Sequence, residues 1–118
     1  MLISSLKSKL HNAIVTISDI NYEGSISIDD DWIKQAGLNE YEKVLVVNKN
    51  NGERFETYVI KAPAGSKEIG INGAAARLAA VGDKVIIINF AIFTLEELKS
   101  YKPKILIYSE STASFAEK

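Results

Sequence analysis

No cysteine occurs among the 118 residues, and this one absence removes a disulfide scaffold, a thiolate metal site and cysteine nucleophiles together. Histidine occurs once, so a zinc site would have to take all its other protein ligands from carboxylates, an uncommon set; no metal site is expected. Charge of one sign is lacking too. Fourteen Lys+Arg against fifteen Asp+Glu leave a net charge of −1, and no global field favours nucleic acid or an anionic membrane. Long apolar runs are missing: Val85–Ile88 ends at Asn89 and is far too short to span a bilayer. Residues 1–10 lack the uninterrupted apolar stretch of a signal peptide, so a cytoplasmic location is the default expectation. Repeats and linkers are absent as well, and residues 1–118 read as one undivided domain.

What is present is mostly strand. Ala13, Val15 and Ile17 alternate with their neighbours in a β-branched, period-two pattern, and Ser25–Ile28 does the same. Lys43–Asn48 reads as a buried strand, Asn50-Asn51-Gly52 as a hairpin turn and Arg54–Lys61 as the returning strand. Lys84–Phe93 is the most apolar segment and should lie centrally, and Lys104–Tyr108 reads as a late strand. Three short helices interrupt these strands. One opens on Asp29-Asp30-Asp31 and closes at Gly37; one runs from Ala74 to Ala79; one starts at the capping box Thr94–Glu97. Residues 110–118 are small and polar, and are expected to form a mobile tail. The spacing predicts a mainly β fold, a closed barrel with a few short helices, with an open α+β sheet as the alternative.

Four constellations could carry chemistry. In Tyr22-Glu23-Gly24-Ser25 a serine hydroxyl follows a glycine, the residue that tolerates a backbone bent far enough for the hydroxyl to reach the preceding carbonyl. A simple turn opening a strand has the same composition. Lys9 and His11 stand two apart and share one face of a strand, a pairing of ammonium and imidazole that suits an anion as well as it suits solvent. Arg54, Glu56 and Tyr58 share one face of a strand, with Phe55 and Thr57 on the other. Arginine offers a fork for a carboxylate and tyrosine a proton donor, although cross-strand packing uses the same types. Asn72-Gly73-Ala74-Ala75-Ala76 is a run of tiny residues that lets backbone N–H groups approach an anion, or a helix approach a sheet.

In this order and at these distances the four elements, with Asn51-Gly52, Gly65-Ser66 and Val81-Gly82-Asp83, resemble the aspartate 1-decarboxylase family over about residues 1–108. The resemblance implies a double-psi β barrel that assembles as a homotetramer with sites at subunit interfaces. It also implies self-cleavage between Gly24 and Ser25 into a β chain, 1–24, and an α chain, 25–118, that begins with a covalent pyruvoyl cofactor derived from Ser25. L-Aspartate would bind to that group as a Schiff base and leave as β-alanine, for pantothenate and coenzyme A biosynthesis. Processing is either spontaneous or assisted by a maturation factor, alternatives that the sequence leaves open. By the same resemblance Arg54 and Lys9 hold the substrate carboxylates, Tyr58 returns the proton, and Thr57 both contacts substrate and stabilises charge during self-cleavage. Asn72 stabilises charge near the reacting amine, Gly73, Ala74 and Ala75 contact substrate, and His11 and Tyr22 line the pocket. The alternatives are a barrel used only for recognition and a purely structural β domain, and neither predicts a break at Gly24.

Overall fold

Valine and isoleucine dominate the segments that pack, and their branched side chains suit a pleated surface buried on one side. The computed structural model describes all 118 residues, Met1–Lys118. In chain order the strands are β1 (Leu2–Ile14), β2 (Ile17–Asp19), β3 (Ser25–Asp29), β4 (Lys43–Asn48), β5 (Arg54–Ala62), β6 (Ile69–Asn72), β7 (Lys84–Thr94), β8 (Lys104–Ser109) and β9 (Ser114–Glu117). Helix α1 (Asp30–Ala36) lies between β3 and β4, and α2 (Leu95–Ser100) follows β7; a 3₁₀ turn, Gly73–Arg77, follows β6.

The pairings run β2-β6-β3-β5-β4-β7-β1-β8-β9, and the chain closes this row on itself. β1 passes directly into β2. At the junction Val15 N–H donates to the Asp83 carbonyl beside β7 (3.0 Å), while Thr16 N–H donates to the Ile69 carbonyl of β6 (2.8 Å). β1–β2 therefore acts as one staff between β7 and β6, and six staves form a ring. Two of its pairings are parallel, β2 with β6 and β3 with β5, and the others are antiparallel. Closure removes the sheet edges that an open α+β arrangement would leave. The fold is mainly β, a closed barrel of six staves with a few short helices.

Inside the ring sit Ala13, Val15, Ile26, Ile28, Val44, Val46, Val59, Ile69, Ile71, Val85 and Ile87. β8 and β9 extend the sheet outward from β1, β8 running parallel to Ser8–His11.

Several local signals act as expected. Asp29 caps α1 and Gly37 ends it in the left-handed conformation (φ 70°). Thr94 and Glu97 form a reciprocal capping box on α2. Three expectations are corrected. Ser25–Asp29 does not alternate between core and solvent but is buried throughout, with the buried Asn72 side chain lying over the hydroxyls of Ser25 and Ser27. The helix expected over residues 74–79 is only a 3₁₀ turn, Gly73–Arg77. The tail 110–118 is not without structure: β9 pairs with β8 and buries Phe115. Its ring stands edge-on to Trp32 at 4.9 Å, and Gln35 Nε2 donates to the Phe115 carbonyl (3.0 Å). One aromatic residue in a polar run is enough once an unpaired strand edge and an apolar gap await it.

Asp29 also ties the segment before β6 to β3. Its carboxylate accepts from Asp31 N–H (2.8 Å), Gly65 N–H (3.1 Å) and Lys67 N–H (2.8 Å), and the residue is almost wholly buried. Replacing it orphans three donors at once. Asp29→Ala is expected to lower unfolding free energy by about 3 kcal/mol, with Asp29→Asn in between. Urea unfolding checks this, and a loss under about 1 kcal/mol for Asp29→Ala would contradict the anchoring role.

Candidate active site

The Gly24–Ser25 bond lies where an exposed turn enters the fully buried strand β3. Ser25 is opposite Asn72 in the β3–β6 ladder, and Asn72 Nδ2 donates to Ser25 Oγ at 3.0 Å. The same amide donates to Ser27 Oγ at 2.8 Å, so its two N–H groups are both used and its orientation is set. Ser27 was missed from sequence, although its i, i+2 spacing from Ser25 puts both hydroxyls on one face of a strand.

Gly73 follows Asn72 with φ 77°, a conformation that favours glycine. Space demands glycine as well. A Cβ at residue 73 would stand 2.8 Å from Gly24 Cα, 2.9 Å from Gly24 N and 3.2 Å from the Tyr22 carbonyl oxygen. The Asn72-Gly73 pair thus touches both sides of one peptide bond: the asparagine holds the hydroxyl after it, and the glycine packs on the residue before it. Ala74 and Ala75 continue this wall into the 3₁₀ turn. Tyr22 is half-exposed beside it.

On the other flank, β3 pairs in parallel with β5, Ile26 opposite Val59. One step earlier on each strand stand Ser25 and Tyr58, and adjacent strands lie about 4.8 Å apart. Ile26 and Val59 both point into the core, so alternation turns Ser25 and Tyr58 to the outer face. Arg54, Glu56 and Tyr58 are exposed, whereas Phe55, Thr57 and Val59 face the other way. Arg54 lies four residues back along β5, about 13 Å by strand rise. Beside Tyr58 an open cleft of about 290 Å³ is lined by Lys43, Glu56, Thr57 and Tyr58. Lys43 is the cross-strand partner of Tyr58 and pairs with Glu56 at 2.9 Å; sequence reading did not single it out.

Lys9 and His11 form a separate patch. Both lie on β1, opposite Ile105 and Ile107 of β8, with β7 and β4 between β1 and β5 in the ring. The buried His11 Nδ1 has no hydrogen-bond partner. Burial, then the ammonium groups of Lys9, Lys49 and Lys118, push the His11 pKa down, which favours the neutral ring. One protomer therefore brings Gly24, Ser25, Asn72 and Gly73 together, sets Tyr58 one residue beyond the end of the β3–β5 ladder, and holds Lys9 and His11 elsewhere. The largest cavity, about 400 Å³ across β8 and β9, contains none of these residues.

Comparison with known proteins identifies the family. Residues 1–114 match the family described as Aspartate decarboxylase. The chain is 64% identical over 92 residues to the Aspartate 1-decarboxylase of Coprothermobacter proteolyticus, covering 78% of this chain and 77% of that one. It is 57% identical over 111 residues to that of Caldicellulosiruptor saccharolyticus, covering 94% and 87%, and 53% identical over 105 residues to that of Ralstonia nicotianae, covering 89% and 88%. Among solved structures, the rationally designed mkDPBB_sym_86 protein superposes with a TM-score of 0.46 at 18% identity, over 72% of this chain and 92% of its own. The family match takes in every residue of the site built above, and the chain belongs to the aspartate decarboxylase family.

Proposed function

We propose that this chain is the precursor of an aspartate 1-decarboxylase, which cuts itself between Gly24 and Ser25 and then converts L-aspartate to β-alanine for pantothenate biosynthesis. The observation that carries the reading is the Asn72–Ser25 hydrogen bond beside the Gly73–Gly24 contact. Together they hold one hydroxyl and one peptide bond in a fixed relation, as intramolecular attack requires.

Cleavage would use this chain's own atoms. Ser25 Oγ adds to the Gly24 carbonyl carbon, the amide C–N bond breaks, and an ester joins the two residues. Asn72 donates to the attacking oxygen and so orients its free lone pair; the charge-stabilising role of Thr57 rests on the family resemblance, since within one protomer its side chain faces away from that of Tyr58. Loss of the Ser25 Cα proton then expels the Gly24 carboxylate, and water replaces the remaining nitrogen, which departs as ammonia. Residue 25 is left as a ketone.

The residues around position 25 fit a pyruvoyl group. It is no larger than the serine it replaces, Asn72 offers it a donor, and Gly73 leaves it room. Such a group supplies the electron sink for the pair released when carbon dioxide departs. The remaining work falls to side chains. Tyr58, one step from the Ile26–Val59 pairing, delivers a proton to the substrate Cα. Arg54 and Lys9 bind the two carboxylates, His11 contributes a neutral donor or acceptor, and Tyr22, Ala74 and Ala75 bound the pocket.

Because Lys9 and His11 lie on a different stave from Ser25 and Tyr58, the complete site is assembled between copies of the chain in a homotetramer. The exposed apolar side chains of Leu2, Phe90 and Ile92 on the outer sheet support such packing. No helix is long and apolar enough to cross a membrane, and the partner in the reaction is a small dicarboxylate.

Intact-mass spectrometry of the purified protein tests the reading. Fragments 1–24 and 25–118 are expected, the larger blocked to Edman sequencing, together with β-alanine formed from aspartate. Ser25→Ala should remain whole and inactive. A parent chain still whole after prolonged warming, with or without cell extract, would overturn the proposal. For Arg54, replacement by lysine keeps the charge and loses the fork. A fall of at least about tenfold in kcat/KM for aspartate is expected, and an unchanged value would reject bidentate binding.

A further inference from the structure

The chain enters β4 through a bulge. Tyr41 N–H donates to the Val59 carbonyl (2.6 Å), and Val59 N–H donates to the Glu42 carbonyl (3.0 Å), so two residues on one strand oppose a single residue on the other. Tyr41 takes φ 71°, the left-handed position that a bulge of this kind ordinarily gives to glycine. A bulky aromatic side chain there is strained and calls for a reason.

The surroundings hold it in place. The Glu42 carboxylate accepts from Lys7 Nζ at 2.8 and 2.9 Å and from Asn39 N–H at 3.0 Å. Tyr101 Oη in turn donates to the Lys7 carbonyl at 2.7 Å. Core packing does not explain the ring, because Tyr41 is 72% exposed. Its ring instead lies 6.3 Å from that of Tyr58, tilted by 40°, within the range of attractive aromatic pairs. Val59, the residue clamped by the bulge, is the next residue after Tyr58.

We propose that Tyr41 is a positioning residue for the decarboxylation: the strained bulge aims its ring at Tyr58 and restricts the phenol to the orientation from which it delivers its proton. The inference rests on the reading of Tyr58 as proton donor. Bulges beside active sites re-aim side chains in this way, and the choice of tyrosine over glycine at position 41 sacrifices backbone ease for a contact with one neighbour.

That trade can be measured, because glycine at position 41 relieves the backbone and removes the ring. In the processed full-length enzyme, Tyr41→Gly should unfold thermally at or above the parental midpoint. Its kcat for aspartate should nevertheless fall about three- to tenfold, with KM changed by less than about twofold. Tyr41→Phe keeps the ring and should recover the parental kcat. If Tyr41→Gly keeps the parental kcat while Tyr58→Phe loses most of it, the positioning role is overturned and Tyr58 as donor stands. If Tyr58→Phe keeps the parental kcat, the donor assignment fails and this inference with it. If Tyr41→Gly loses thermal midpoint and kcat together, and phenylalanine does not restore kcat, Tyr41 is merely structural and the proposal is overturned.

Discussion

The close approach of Gly73 to Gly24 is the constraint on which the rest of the site depends. With a Cβ at residue 73 two backbone atoms would be nearer than 3.0 Å, so the turn carrying residues 22–24 would have to move away. The adjacent Asn72 would then no longer share a fixed frame with Ser25. Barrel and site meet at this point: the end of β6 delivers an asparagine to the hydroxyl and a bare backbone to the peptide bond. Two residues from a strand terminus define the geometry of a bond 48 positions earlier in the chain.

Such a definition needs a rigid support, and β3 provides it. The strand is buried on both faces and is held between β5 and β6. Asp29 at its far end is locked by three backbone donors. By contrast, residues 21–24, on the other side of the bond, are exposed. A packed strand on one side of the bond and an exposed turn on the other suit the proposed cleavage, which would release one side while the other stays packed as the new terminus.

Much of this was legible from local chemistry. The Asp29 cap, the Gly37 stop, the Thr94–Glu97 box and the Asn50-Asn51-Gly52 turn depend on neighbours in sequence and appeared where expected. β6 was not legible, because four residues with a glycine among them give no periodic signal. β9 was hidden by its polarity, since its place depends on the open edge of β8 and the gap beside Trp32. In the site, residue types and spacing alone left turn and packing readings open, and it was the family resemblance that pointed to Gly24, Ser25, Asn72 and Tyr58. What spacing could not convey was contact: that Gly73 packs on Gly24, that Ser27 shares the Asn72 amide, or that Tyr41 occupies a bulge position suited to glycine. Nor did pattern reveal that Lys9 and His11 stand on a different stave from Ser25, which is what makes assembly between copies part of the proposed function.

The most direct test of the central constraint is the cleavage time course of Gly73→Ala, followed by intact mass on protein whose circular dichroism matches the parent. The expected result is a folded chain that stays whole long after the parent has divided between Gly24 and Ser25. Division at the parental rate by a folded Gly73→Ala chain would contradict the claim that this contact sets the geometry of the bond.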